Sequence, residues 1–323
     1  MTKRSLSIIM VLLLIISLVS ACSGGKAKEE TYISIATGGP AGTYFPLGAA
    51  IAKIYNDNME GITANAQSTG ASVENIGLIS KGEAEIAFVQ NDITYYAFTG
   101  TEAFEGKGKM ENIRGMAMIY PELVQVIAAE GSGIKSIEDL KGKRVAIGAP
   151  GSGVEANARQ VLAVYGMTYD DLGKADYLSF NEAADQLKNK QIDAAFVTAG
   201  IPTSAVTEVS QTSNVSIIPI TTEKVKELNK DYPFYTEVVI PANTYNGQTT
   251  DVTTAAVMAM LVVPDKLNED LVYELTKQLF EQKQVIIDTH SRGNDINLET
   301  ALTGMPIEIH PGSKRYYDEK GIK

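Results

Sequence analysis

The sequence predicts an α/β protein of two similar lobes, each a mostly parallel sheet with flanking helices. One observation is a strand, a Gly-rich turn and a helix that occur twice, near Ile33 and, 112 residues later, near Val145. Another is the match between residues 82–89 and 190–197, which lie 108 residues apart. Alternation of strands and helices implies parallel pairing with helices on both faces.

Length and composition narrow the class of protein. The 323 residues suffice for about two domains of ordinary size. A hydrophobic fraction of 44% with 21% charged residues is typical of a globular chain. The net charge of −11 argues against nucleic-acid binding, which needs a basic surface. One Cys and two His exclude a Cys-rich zinc site and a disulfide framework.

The N-terminus has the pattern of a signal peptide, assigned to residues 1–21. Lys3 and Arg4 precede the apolar run 6–19. This run is too short for a membrane span of about 20 apolar residues, and it fits a signal-peptide core.

Cys22 follows the small residues Ser20 and Ala21, a pattern that resembles a bacterial lipobox. The resemblance implies cleavage before Cys22 and lipidation of its side chain, with residues 22–30 as a tether. The mature chain is then anchored on the outer face of the cell membrane. A plain anchor helix with an incidental cysteine is the alternative.

The first copy of the repeat begins with a buried strand at 32–36 and a Gly-rich turn at 37–43. The next helix carries Leu47, Ile51 and Ile54 on one face, at helical spacing. The pattern continues with a strand at 62–66, a helix at 73–80 and a strand at 86–89.

The second copy begins with a strand at 144–147 and a Gly-rich turn at 148–153. The helix that follows buries Val154, Ala158, Val161 and Leu162, and another helix covers 182–188.

The connecting segments predict a chain that leaves one lobe and re-enters it. Residues 114–130 read as a strand that enters the second lobe, and 234–241 as the return. Residues 252–263 predict a further strand in the first lobe, and 269–280 a helix. The predicted division is residues 31–120 and 236–323 for lobe 1 and 121–235 for lobe 2. Two or more crossovers imply a ligand cleft bounded by a hinge.

The two Gly-rich turns are the first candidates for a binding site. Ligands of parallel α/β sheets bind at the carboxyl ends of the strands, where these turns lie. Each turn opens a helix whose free N–H groups favour an anion. We therefore expect Gly39, Thr43, Ser152 and Gly153 to contact a small carboxylate-bearing ligand. An ordinary strand-to-helix turn explains either loop taken alone, and neither has the spacing of a nucleotide-binding loop.

Polar residues at other strand ends complete the candidate site. Ser72 caps the following helix, contacts ligand, or does both. Gln90, Asn91 and Asp92 follow a buried strand, and Asp92 either caps the next helix or pairs with a ligand ammonium.

The matching strand of the second copy ends near Thr198 and Gly200. Tyr44 and Tyr120 wall the pocket or pack in the core. Arg114 and Arg159 either meet a second ligand carboxylate or are solvated.

Several segments together resemble the TAXI family of TRAP-transporter solute receptors. They are residues 37–48, 68–75, 88–92, 120–122, 136–144, 148–153 and 310–317. The resemblance implies a two-lobed periplasmic-binding-protein fold, a monomer and a TRAP permease driven by an ion gradient, usually sodium. It implies glutamate, glutamine or 2-oxoglutarate-like ligands and no cofactor.

The same sequence features are compatible with other functions. A binding lobe of an ABC importer or of a ligand sensor would have the same fold. His290 and His310 stand in no catalytic constellation, and no cluster of His and Cys suggests a metal site. We therefore expect a binding protein with no catalytic residues.

Overall fold

The strands of the protein form one sheet in the computed structural model, which describes residues 30–323. These strands are β1 Thr31–Ala36, β2 Ile62–Gln67, β3 Ile86–Gln90, β4 Ile113–Ala129, β5 Arg144–Ala146, β6 Lys174–Asp176, β7 Ala194–Ala199, β8 Val215–Ile218, β9 Thr236–Ile240 and β10 Val252–Pro264.

Helices flank the sheet. They are α1 Tyr44–Asn58, α2 Ser72–Lys81, α3 Asn91–Thr99, α4 Gly153–Val164, α5 Phe180–Lys188, α6 Ser204–Thr212, α7 Thr222–Asp231, α8 Glu269–Glu281, α9 Lys283–Thr289 and α10 Pro311–Glu319. None of the helices described is long and apolar enough to cross a membrane.

The strand order is β2-β1-β3-β10-β4-β7-β5-β6, with β8 also paired to β4 and β9 to β10. The α/β architecture with flanking helices is confirmed. Instead of two separate sheets, the two halves share one, because β4 and β10 are long enough to run through both. β4 pairs with β10 before Leu123 and with β7 after it, both times antiparallel. Parallel pairs such as β1 with β3 and β5 with β7 lie towards the outer sides.

The internal repeat is confirmed as two central strands, β3 and β7. Every residue of both strands is buried, because helices cover both faces of the sheet. The predicted helix faces are confirmed as well. Leu47, Ile51 and Ile54 of α1 are fully buried, and the apolar residues assigned to α4 all lie in the core.

The segment predicted to return to the first lobe is β9, which pairs with Val252–Ala256 at the start of β10. The side chains of Ile240 and Tyr245 pack in one cluster with Leu123 and Ala195. β10 then continues to β3, so the chain passes between the two halves along β10. The lobe boundaries at residues 120 and 235 stay a prediction.

The predictions for the N-terminus concern residues that precede the described range, apart from Glu30. The signal peptide at 1–21, the lipidated Cys22 and all of the tether except Glu30 lie outside the described residues.

Candidate functional site

A pocket lies between the two Gly-rich turns. Its walls come from segments that are distant in sequence and meet where several strands end. The lining residues are Gly38, Gly39, Gly42, Thr43, Tyr44, Thr69, Gly70, Ala71, Ser72, Gln90, Glu122, Ala149, Ser152, Gly153, Val154, Ser179, Phe180, Thr198 and Ala199.

The N-terminal ends of five helices, α1 to α5, contribute to this lining. The first N–H groups of a helix have no partner within the helix, and the helix dipole adds positive potential there. Some of these groups are already occupied. The N–H groups of Val73 and Glu74 on α2 donate to the carbonyl of Gly151, at 3.0 and 3.1 Å. This contact joins the second Gly-rich turn to the first half of the chain.

Most of the predicted site residues meet at this pocket. Gly39, Thr43, Tyr44, Ser72, Gln90, Ser152, Gly153 and Thr198 all line it. Their role in ligand binding stays a prediction.

Three predicted site residues, Asn91, Asp92 and Gly200, do not line the pocket. The side-chain oxygen of Asn91 accepts from the N–H of Met258, at 3.0 Å, and so ties α3 to β10. The carbonyl of Gly200 accepts the hydroxyl of Thr43, at 3.2 Å. These contacts give both residues a role in holding the walls of the pocket together.

The two hydroxyl groups of the Gly-rich turns have partners within the protein. Ser152 caps α4, since its Oγ accepts from the N–H of Glu155, at 3.3 Å. The same hydroxyl donates to the carbonyl of Ala149, at 2.7 Å. Both Ser152 and Thr43 therefore direct their hydrogens to backbone carbonyls.

The expectation that Ser72 caps α2 is wrong. Ser72 is the first residue of that helix, and Ala71 occupies the cap position without a side-chain hydrogen bond. The Oγ of Ser72 instead accepts from the N–H of Gln90, at 3.1 Å. Ser72 thus joins α2 to the end of β3 at the floor of the pocket.

Asp92 lies in the first turn of α3, where Gln90 is the cap residue, so the capping role is wrong here too. Its carboxyl group is fully buried behind the pocket. One oxygen accepts from the side chain of Asn157, at 3.1 Å, and the other has no partner among the described residues. Burial raises the pKa of Asp92 to about 7.

Glu122 is the functional candidate that sequence reasoning missed. Its carboxyl group lines the pocket, and only 2% of the residue is exposed. Tyr44 donates to one oxygen at 2.7 Å, and Tyr120 to the other at 3.2 Å. Burial raises the pKa of Glu122 to about 8, and the nearby Asp92 adds to the shift. An acidic residue inside the apolar strand β4 was the available signal.

Two residues of the lining carry a buried polar atom that has no protein partner within residues 30–323: Oε1 of Gln90 and Oγ1 of Thr198. Buried polar atoms are rarely left unpaired, which makes both side chains candidates for a rearrangement around a bound solute. The amide nitrogen of Gln90 donates to Asn157 on α4, at 3.0 Å. A Cβ atom at Gly153 would overlap Gln90 Oε1, so this close approach needs glycine.

Basic side chains are absent from the pocket lining in the described part of the chain. Arg159 forms an ion pair with Glu102 at 2.9 Å, and Arg114 lies 3.6 Å from Glu308. Neither arginine lines the pocket. An anion bound there would be recognised by helix N-termini and neutral polar groups.

The two histidines lie outside the pocket lining. His290 and His310 accept hydrogen bonds from backbone N–H groups two residues further on, and neither lines the pocket. No group of three or more His, Cys, Asp or Glu that could hold a metal ion occurs in the range 30–323.

Comparison with known proteins gives the family. Residues 35–321 match the model of the NMT1-like family, which is nearly all of the described chain. The chain belongs to the NMT1-like family.

The NMT1-like chain is also similar to solved structures. A protein of Bordetella bronchiseptica RB50 is 17% identical, with a TM-score of 0.50 over 91% of this chain and 84% of the other. The alkanesulfonate-binding protein of Xanthomonas axonopodis pv. citri is 12% identical, with a TM-score of 0.48 over 90% and 84%. The aliphatic sulphonate binding protein of Escherichia coli is 14% identical, with a TM-score of 0.46 over 89% and 78%. The chain thus has an α/β fold similar to that of the Bordetella protein.

The resemblance to the TAXI family is corrected by these findings. The family model that matches residues 35–321 is that of the NMT1-like family. The quoted motifs include the two turns at strand ends, and a shared solute-binding fold places such turns around any ligand. They therefore do not separate one family from another, and the expected TRAP permease with its sodium gradient is not supported.

Proposed function

We propose that this NMT1-like protein captures a small carboxylate or amino acid outside the cytoplasm and delivers it to a membrane importer. The observation that carries the proposal is a pocket whose lining includes the starts of five helices and, within residues 30–323, no basic side chain. The N–H groups of Val73 and Glu74 on α2 are already occupied, so the other helix starts would bind the ligand. Helix N-termini bind anionic groups through backbone N–H groups and the helix dipole. The pocket is also concave and mostly apolar, as small-molecule sites are.

Ligand capture would couple to the relative position of the two halves. The contact of Val73 and Glu74 with Gly151 and that of Gln90 with Asn157 join the walls of the pocket. A solute that touches both walls would stabilise this arrangement over an open one. The closed surface would then be the form that the importer recognises.

The partner would be an ABC importer. Lipidation of Cys22 would hold the protein at the outer face of the membrane, near that partner.

The protein would not be an enzyme. Glu122 is the only carboxyl group in the pocket lining within residues 30–323, so an acid–base pair of carboxylates is missing there.

The direct test is thermal unfolding of the mature chain, with Cys22→Ser to prevent lipidation, across amino acids, dicarboxylates, keto acids and sulfonates. A ligand of the folded state adds about 2.7 kcal/mol of stability at a hundredfold excess over Kd. We expect a rise of several degrees in Tm for at least one carboxylate or amino acid.

Two glutamine variants make the test specific to the pocket. Gln90→Ala removes an unpartnered carbonyl that lines the pocket, and Gln248→Ala removes one that lies elsewhere. We expect the ligand-induced shift to shrink in the first variant and persist in the second. If no compound shifts Tm and mass spectrometry of the denatured protein finds no co-purified solute, the proposal is wrong.

A further inference from the structure

The pocket lining combines one acidic side chain with the starts of several helices. Glu122 is the one acidic side chain in its lining among the described residues, and Lys, Arg and His are absent from the same lining. We infer that Glu122 binds the ammonium group of the solute, so that the ligand is an α-amino acid and not a solute without an amino group, such as a keto acid or a sulfonate. This inference rests on the proposed function and names its ligand.

The position of the Glu122 carboxyl group is fixed from two elements. Tyr44 on α1 and Tyr120 on β4 donate to different oxygens of the same carboxyl group. The Tyr44 ring also packs against Phe88, with 5.1 Å between ring centroids. Each carboxylate oxygen can accept a further hydrogen bond. The carboxyl group is therefore held in place with acceptor capacity left for a ligand.

The carboxyl group of Glu122 is buried, and none of the ion pairs among residues 30–323 includes it. The titratable groups around it are Tyr44 on α1, Tyr120 on β4 and Asp92 on α3; the positive charge of Arg292, which pairs with Asp295 at 3.0 Å, acts on Tyr120. The raised pKa of Glu122 means that the free protein holds the proton at neutral pH, and a bound ammonium would favour its loss. An isolated buried carboxylate is costly, and an opposite charge with hydrogen bonds offsets that cost. A ligand ammonium would supply this charge, whereas a second anion would add repulsion.

The start of α4 suits the other end of an amino acid. Gly153 and Val154 begin this helix and line the pocket, and the first N–H groups of a helix favour a carboxylate. An α-amino acid carries its ammonium and its carboxylate on one carbon atom. Both of its charges would thus find a partner in the lining of one pocket. A protonated Glu122 that donates to a ligand oxygen is the competing arrangement.

The test compares each amino acid with the keto acid of the same carbon skeleton. Such pairs include L-glutamate with 2-oxoglutarate, L-alanine with pyruvate and L-leucine with 4-methyl-2-oxopentanoate. Calorimetry on the mature chain measures both affinities, for the wild type and for Glu122→Gln. We expect the amino acid of the cognate pair to bind at least about 100-fold more tightly than its keto acid, as for a buried charge pair.

The variant Glu122→Gln is expected to lower the affinity for the amino acid by a similar factor and to leave that for the keto acid nearly unchanged. Tyr95→Phe, a change at an exposed side chain, serves as the control that should alter neither affinity. Keto acids that bind as tightly as their amino acids would overturn the inference but keep the proposed function. A panel of all the standard amino acids and their keto acids without any binding would overturn both.

Discussion

The chemistry of the pocket depends on one residue, Glu122. It is buried, it accepts from two tyrosines, and its pKa is raised from 4.5 to about 8. The folded protein therefore keeps a proton on Glu122 where the unfolded chain has lost it. Such a group lowers the free energy of unfolding as pH rises between its two pKa values.

We expect the variant Glu122→Gln to depend less on pH than the wild type. The free energy of unfolding of the wild type should fall as pH rises from about 5 to about 8, and the fall should be smaller in the variant. Urea titrations at pH 5, 6, 7 and 8 without ligand measure this. Asp92→Asn provides a parallel case, since burial raises the pKa of Asp92 to about 7. Identical slopes in the wild type and both variants would contradict these assignments.

The sequence alone could not identify Glu122 as a residue of the pocket. Gln90, Thr198 and most other site residues could be predicted because they stand at strand ends beside Gly-rich turns. Glu122 lies inside a strand, and its partner Tyr44 is 78 residues away in the chain. Only the packing of α1 against β4 brings the two together, and no local pattern records that contact.

Among the elements, α4 connects the second Gly-rich turn to the core. It begins at Gly153 in the wall of the pocket, and its buried face holds Val154, Ala158, Val161 and Leu162. Ser152 satisfies the N–H group of Glu155 at its start. The position of the turn thus depends on the helix cap.

We expect Ser152→Ala to lower the free energy of unfolding by about 1 kcal/mol, because an N-cap side chain contributes that much. Thr221→Ala is a matched control at the start of α7, where the threonine side chain accepts from Lys224 and lies outside the pocket. Denaturant unfolding should show a similar cost for both variants, while ligand affinity should change only in Ser152→Ala. A cost near zero for Ser152→Ala would contradict the capping role.

Most elements could be predicted because their signals are local. The apolar spacing of α1 and α4 is visible in the sequence, and so are the buried runs of β3 and β7. The start of α2 was misjudged by one position, because a Ser at a helix start is usually its cap. Here the contact with the N–H of Gln90, which sequence periodicity does not encode, takes the hydroxyl away from that role.

For the whole molecule, the decisive feature is the contact between the two halves around the pocket. Gln90, on the first half, approaches Gly153 so closely that any side chain there would overlap it. The same glutamine donates to Asn157 on α4, at 3.0 Å. The sequence could not predict this arrangement, because it depends on pairing between strands more than 100 residues apart, such as β4 with β10.

We expect Gly153→Ala to weaken ligand binding, because the new methyl group displaces Gln90 and separates the walls of the pocket. An affinity loss of about tenfold or more corresponds to about 1.4 kcal/mol. Gly77→Ala is the matched control in α2, where a Cβ atom meets nothing within 4 Å. It should keep the affinity and add up to about 1 kcal/mol of stability. Calorimetry and denaturant unfolding measure the two effects, and unchanged affinity in Gly153→Ala would count against a pocket that closes there.

The central place of β10 in the sheet also has a consequence for biogenesis. β10 lies between β3 and β4, yet it is formed by Val252–Pro264, late in the chain. A nascent polypeptide that stops before this strand leaves both neighbours with an open edge, and the core on either side is incomplete. Folding is thereby postponed until most of the chain has been made. For a protein that is exported, as proposed above, such a delay keeps the polypeptide competent to pass through a secretion channel before it folds.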